Sequence, residues 1–210
     1  MDIVEIILKL PIFQAEWVLW LLLLMSIASV AIVVERALFF RRRVIDTNAV
    51  RSKLNEYLSA GEVAAASEYL QRFDSLETNV VLFGLREHHR GAEAVSDLLE
   101  GAEAKETERY KERLGILATV GSNAPFIGLF GTVLGVIEAF AELGRDLGNV
   151  GSGLMGAISE ALVATGVGLF VAIPAVVAYN YFGGAVQRRI SEGTLLSKTL
   201  LAHLKSAEAG

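Results

Sequence analysis

Residues 114–137, LGILATVGSNAPFIGLFGTVLGVI, and residues 161–187, ALVATGVGLFVAIPAVVAYNYFGGAVQ, carry no charged side chain, and their small residues fall in a regular order. Gly121, Pro125, Gly128, Thr132, Gly135 and Ala139 recur at alternating steps of four and three. Ala161, Thr165, Gly168, Ala172, Ala175 and Tyr179 do the same. Such spacing lines each set along one face of a helix. In lipid, a face of small residues lets two backbones approach closely. Each stripe also carries one threonine, so a hydroxyl lies where a neighbouring helix, or a narrow pore, must come.

Between the stretches, Glu142 to Gly153 contains Gly144, Gly148, Gly151 and Gly153, enough punctuation to reverse the chain. Thr132 and Thr165 are nearly equidistant from Gly148, so an antiparallel pair puts them at similar depth, about 15 to 20 Å below the turn at the helical rise. A single threonine in lipid satisfies itself on its own i−4 carbonyl. Two at one height leave helix packing and a polar constriction as the readings, with the constriction preferred. Glu160 is the ionisable residue near the start of the later stretch. An acid in hydrocarbon costs a few kcal/mol, so it should face a bundle interior, a wet cavity or the outer boundary. Pro125 and Pro174 lie inside the stretches; proline costs about 3 kcal/mol in a helix interior and is tolerated in membranes where neighbours satisfy the freed carbonyl. Both are expected to kink their helices.

A third charge-free run, Trp17 to Val34, is just long enough to span hydrocarbon. Acidic Asp2, Glu5 and Glu16 precede it and Arg36, Arg41, Arg42 and Arg43 follow, the reverse of a secretory signal. The chain is 53% hydrophobic, with 19 basic and 24 acidic residues and a net charge of −5. Its apolar matter is therefore concentrated in blocks, and the charge does not suggest nucleic-acid binding. The absence of cysteine excludes disulfides, thiolate metal sites and a cysteine nucleophile. Thirteen Lys/Arg lie in 36–113 and four after residue 187, against Lys9 and Arg145 elsewhere. The positive-inside rule then gives an outer N-terminus, three spans and an inner C-terminus.

The fold expected is an all-α membrane protein with three transmembrane helices that extend into a cytoplasmic helical domain. The divisions are an outer-face amphipathic helix over 1–15, with Ile3, Ile6, Ile7 and Leu10 on one face, spans over 16–40, 114–140 and 154–187, a cytoplasmic domain over 41–113, a periplasmic turn over 141–153 and a cytoplasmic C-terminal helix over 188–210. Within 41–113, Asp46 or Thr47 should cap a helix ended by Gly61, Glu62 to Phe73 forms a second, and Ser75 opens a third running to about Gly91. From Ala92 no proline occurs until Pro125, so one unbroken helix is expected to rise into the second span. His88 and His89, adjacent on a helix, point about 100° apart and lack an acid or cysteine pattern, so they read as solvated side chains. The series Gly128, Gly131, Gly135 lacks the lysine of a phosphate loop and lies in an apolar span, so those glycines read as packing. No nucleophile elbow or catalytic carboxylate pair appears, and no metal or cofactor is expected.

Three runs carry a resemblance: Ala124-Pro125-Phe126-Ile127-Gly128-Leu129-Phe130-Gly131-Thr132-Val133-Leu134-Gly135, then Ile158-Ser159-Glu160-Ala161-Leu162-Val163-Ala164-Thr165-Gly166-Val167-Gly168-Leu169, then Ala172-Ile173-Pro174-Ala175-Val176-Val177-Ala178-Tyr179-Asn180. They resemble the ExbB/TolQ branch of the MotA/TolQ/ExbB proton channel family, whose pattern differs by Trp at Leu134 and Pro-Gly at Gly156-Ala157. The resemblance implies a bacterial inner-membrane motor subunit: a homopentamer whose last two spans line a pore around an ExbD/TolR-like single-span partner that supplies a protonatable aspartate. It also implies that Thr132 and Thr165 flank that aspartate and that Glu160 contributes to the polar lining. The work driven is energising of outer-membrane transport, Tol-Pal envelope maintenance or surface motility. From another class, a passive membrane scaffold would show no proton-dependent leak. Three spans without an internal repeat argue against a substrate carrier, and an enzyme is the least supported class.

Overall fold

The computed structural model describes residues 16–143 and 152–209, and every regular element among them is a helix. They are α1 (Glu16–Arg42), α2 (Thr47–Ser59), α3 (Val63–Leu70), α4 (Leu76–Arg86), a 3-10 turn (His88–Arg90), α5 (Ala92–Lys111), α6 (Leu114–Leu143) and α7 (Ser152–Ala209). By length and composition α1, α6 and α7 can each cross a membrane. The expected helix over 1–15 and the centre of the turn, 144–151, lie outside the described residues. The chain divides into two compact units, one of residues 1–34 and 113–180, the other of 35–112 and 181–210.

In the apolar unit, Val18 and Leu22 of α1 pack with Val120, Ala124 and Leu134 of α6 and Val171, Ala172 and Ala175 of α7. The opposite faces carry exposed Trp20, Leu24, Ile27, Phe126, Phe130 and Phe170. In water such faces would be a liability; on a helix of spanning length they are what lipid or neighbouring spans cover.

The second unit is built by local capping signals and one apolar core. Asp46 accepts from the backbone N–H groups of Asn48 and Ala49, starting α2, and Gly61 ends that segment in the left-handed region at φ +73°. Ser75 caps α4 by accepting from Thr78 N–H. Fully buried Tyr110 satisfies another first-turn donor: its hydroxyl accepts from Leu76 N–H at 3.1 Å. Burial pushes that phenol up to about 12. Its ring meets Phe39 and Phe40 edge-on, and Phe40 stacks on Phe182 at 5.4 Å between centroids. Added atoms on Gly84 would meet Leu99 and Leu200, so α4, α5 and α7 converge there. Glu77, with no exposed surface, accepts from Arg189 Nη1 at 2.9 Å. Burial raises the Glu77 carboxyl above its ordinary value, while Arg189 opposes that shift. Removal of Arg189 would leave a buried carboxylate without its counter-charge.

Two expectations are corrected. The run from Ala92 is not one helix: α5 ends at Lys111, Glu112 is extended (ψ 136°), and Arg113 takes φ +63° before α6 begins. A non-glycine residue in that region reverses the handedness of the backbone for one step and so breaks the helix. The third polar helix stops at Arg86, not near Gly91; a 3-10 turn follows, and Gly91 supplies φ +89°. Pro125 and Pro174 both lie within uninterrupted helices.

Asp74 joins distant parts of the second unit by accepting from Arg109 at 2.9 Å through both terminal nitrogens and from Arg43 at 2.7 Å. The Arg109 hydrogen bonds hold its carboxyl well below the usual carboxylate range. A depressed folded value means stability that is complete above the ordinary aspartate value and lost as pH falls from there toward the folded one. Thermal unfolding of the purified protein at a series of pH values should therefore show a loss of stability below about pH 4 that Asp74→Asn makes shallower. An unchanged acid slope in that variant would refute the role.

Candidate functional site

The site is the seam between α6 and α7, and glycine makes it. A Cβ placed on Gly128 would lie 2.6 Å from the Ala164 carbonyl oxygen and 3.1 Å from the Cα atoms of Thr165 and Gly168. A Cβ on Gly168 would lie 2.6 Å from the Ala124 oxygen. Real side-chain carbons do not sit that close to backbone, so each helix occupies the volume that any side chain on the other would need. Along the seam Gly121 backs onto Val176, and Gly135 onto Ala161. Gly131 faces Ala164 and also Val18 of α1, so all three apolar helices meet at its level. The register is antiparallel and matches the two small-residue stripes. Tyr179, on the same spacing, is exposed.

That approach brings the two threonines together. Thr132 Oγ1 and Thr165 Oγ1 hydrogen-bond each other directly. Around them are backbone acceptors: Ala161 O at 3.1 Å and Gly128 O at 3.3 Å from Thr132 Oγ1, and Gly128 O at 3.3 Å from Thr165 Oγ1. Each hydroxyl has one proton to donate and two lone pairs to accept with. Two protons therefore serve a ring of one mutual bond and three carbonyl contacts, which leaves alternatives of similar geometry. Either hydroxyl can donate to the other while that other donates to a carbonyl. Both residues are half-buried, so the pair is reachable from one side. Such a pair can accept, pass on or orient a proton, and an alcohol does not hold charge at neutral pH.

The sequence-derived stripe positions Gly121, Gly128, Gly131, Gly135, Ala161, Gly168 and Ala172 are all buried at or beside this seam. Pro125 lies beside it, half-buried, while Pro174 is exposed. Glu160 lies within α7, and its side chain is outside the described residues. The carbonyls of Gly128 and Ala161 are parts of the site that side-chain patterns do not announce; they follow only once the register is known. The contribution of α1 through Val18 was likewise hidden, since Trp17 to Val34 reads as uniformly apolar. His88 bonds the Leu85 carbonyl through Nδ1 at 2.7 Å.

The model of the MotA/TolQ/ExbB proton channel family matches residues 72–193. The biopolymer transport protein ExbB of Neisseria meningitidis is 35% identical over 176 residues, covering 77% of this chain and 78% of that protein. The Tol-Pal system protein TolQ of Pseudomonas aeruginosa is 46% identical over 94 residues, 43% of this chain and 39% of the relative's length. A putative ExbB-like biopolymer transport protein of Helicobacter pylori is 52% identical over 69 residues, 33% of this chain and 46% of that protein.

Replacing Gly128 by Ala should separate α6 from α7 and cost roughly 1–3 kcal/mol, the usual range for overpacking. Gly166→Ala, on the exposed face of α7 with nothing within 4 Å of an added Cβ, should not weaken this seam. Unfolding in detergent compares the two, and equal losses would contradict the seam.

Proposed function

This chain belongs to the MotA/TolQ/ExbB proton channel family, and on that premise we propose that it is the ring-forming subunit of an inner-membrane motor that turns proton flow into work on the cell envelope. The observation that carries the reading is the Thr132–Thr165 hydroxyl pair on a glycine-made seam. Two alcohols can relay a proton and cannot store it, and the stretches 114–137 and 161–187 contain no acid. The group that titrates then belongs to another chain: an aspartate on an ExbD/TolR-like single-span protein enclosed by a pentamer of this one. Glu160 is assigned to the polar lining on the outer side of the pair.

A carboxylate is far costlier than a carboxylic acid to hold between apolar helices. Protonation from the outer side lets the partner aspartate leave its hydroxyl contacts and pass the smooth small-residue wall. Loss of the proton on the inner side draws it to the next pair. One proton crossing about 100 mV supplies roughly 2.3 kcal/mol from the electrical term. The positive-inside count supports an outer N-terminus and a cytoplasmic second unit. Work of the outer-membrane transport kind is favoured by coverage: similarity to the Neisseria biopolymer transport protein extends over 77% of this chain, and similarity to the TolQ relative over 43%.

The test is proton flux in liposomes that hold this chain with its single-span partner, driven by an imposed potential. Thr132→Ala with Thr165→Ala should lower partner-dependent flux at least tenfold, while the double serine variant, which keeps both hydroxyls, retains most of it. Undiminished flux in the alanine variant would overturn the assignment of the pair.

A further inference from the structure

Where α1 and α7 leave their apolar runs, the second unit carries a cavity of about 430 Å³. Its lining is divided chemically. Phe40, Val44 and Tyr181 form an apolar wall, and Val44 and Tyr181 are 66% and 65% exposed. Arg41, Arg188 and Arg189 supply the cationic side, against Glu192 as the acid in the lining. The charges are not equally free. Arg189 is bound to buried Glu77 at 2.9 Å, and Glu192 accepts from Thr47 at 2.9 Å. Arg41 and Arg188 form neither a hydrogen bond nor an ion pair among the described residues. Two uncompensated guanidinium groups therefore border one cavity.

Its depth follows from the sequence. Val34 ends the first charge-free run, so Arg41 stands about 10 Å beyond it at the helical rise, and Arg188 directly follows the run that ends at Gln187. That level is the boundary between hydrocarbon and headgroups, where exposed Tyr181 suits an aromatic belt. Inorganic phosphate would use the arginines and leave the apolar wall bare. A zwitterionic headgroup would bring its ammonium toward two unpaired cations.

We propose that this cavity binds one acidic phospholipid, its phosphodiester held by Arg41 and Arg188 and the upper part of an acyl chain laid against Phe40, Val44 and Tyr181. Guanidinium matches phosphate oxygens with paired donors, and basic pockets between membrane helices take anionic headgroups for this reason. The same helix ends carry the Arg189–Glu77 bond and the Glu192–Thr47 bond. An occupied cavity would thus brace the α1 and α7 ends against α2 and α4.

The test is native mass spectrometry of the full chain in neutral detergent, titrated with dioleoyl phosphatidylglycerol, dioleoyl phosphatidylcholine or sodium phosphate. Phosphatidylglycerol should bind at least tenfold more tightly than phosphatidylcholine, and Arg41→Gln with Arg188→Gln should remove that preference. Arg42→Gln, exposed on the same helix and outside the cavity, should leave it intact. Arg188→Lys, the milder change, should retain part of it, so the result does not hang on the folding of the double variant. Three outcomes overturn the proposal: equal binding of both lipids, an equal loss in Arg42→Gln, or sodium phosphate that displaces the lipid at matching concentration.

Discussion

The absence of side chains at Gly128 and Gly168 is the constraint on which the apolar unit depends. With any larger residue, the Ala164 and Ala124 carbonyls could not lie where they do. With the helices farther apart, the Thr132 and Thr165 hydroxyls would bond only to their own helices. Close approach therefore does two jobs at once. It stabilises a helix pair that lipid alone does not drive together, and it converts two self-satisfied threonines into one shared polar group. The shared polar group is thereby tied to packing density.

The second unit solves a different problem, since its helices are shorter and its surface is charged. Capping by Asp46 and Ser75 is local, but the contacts that define it are long-range: Tyr110 on the first turn of α4, Asp74 between two arginines, and Glu77 under Arg189. Arginine fills a different role at each place. Arg43 and Arg109 are consumed by Asp74, Arg189 by Glu77, while Arg41 and Arg188 stay uncommitted beside an apolar wall. A count of positive charges treats all five alike, and only the fold separates structural cations from available ones.

The seam was legible in the sequence because small residues are informative where everything else is bulky and apolar. Steps of four and three fixed the faces, and equal distance from Gly148 anticipated the pairing of Thr132 with Thr165 that the register brings about. Tyr179 shares the spacing yet is exposed, because spacing assigns a face and says nothing of burial. The break at Arg113 left no mark, for neither glycine nor proline stands at 112 or 113, and left-handed backbone at arginine is set by the surrounding structure. The Glu77–Arg189 bond spans 112 residues of sequence, beyond any local signal. The carbonyls of Gly128 and Ala161 are invisible to side-chain patterns altogether.

α6 and α7 hold Thr132 and Thr165 in direct contact within one chain. Since the chain has no cysteine, Thr132→Cys with Thr165→Cys can be oxidised in native membranes without background. Dilution by unmarked chains separates links within a chain from links between chains. A disulfide within one chain should form readily and be insensitive to that dilution. No disulfide, or one that forms only between chains, would refute the Thr132–Thr165 contact.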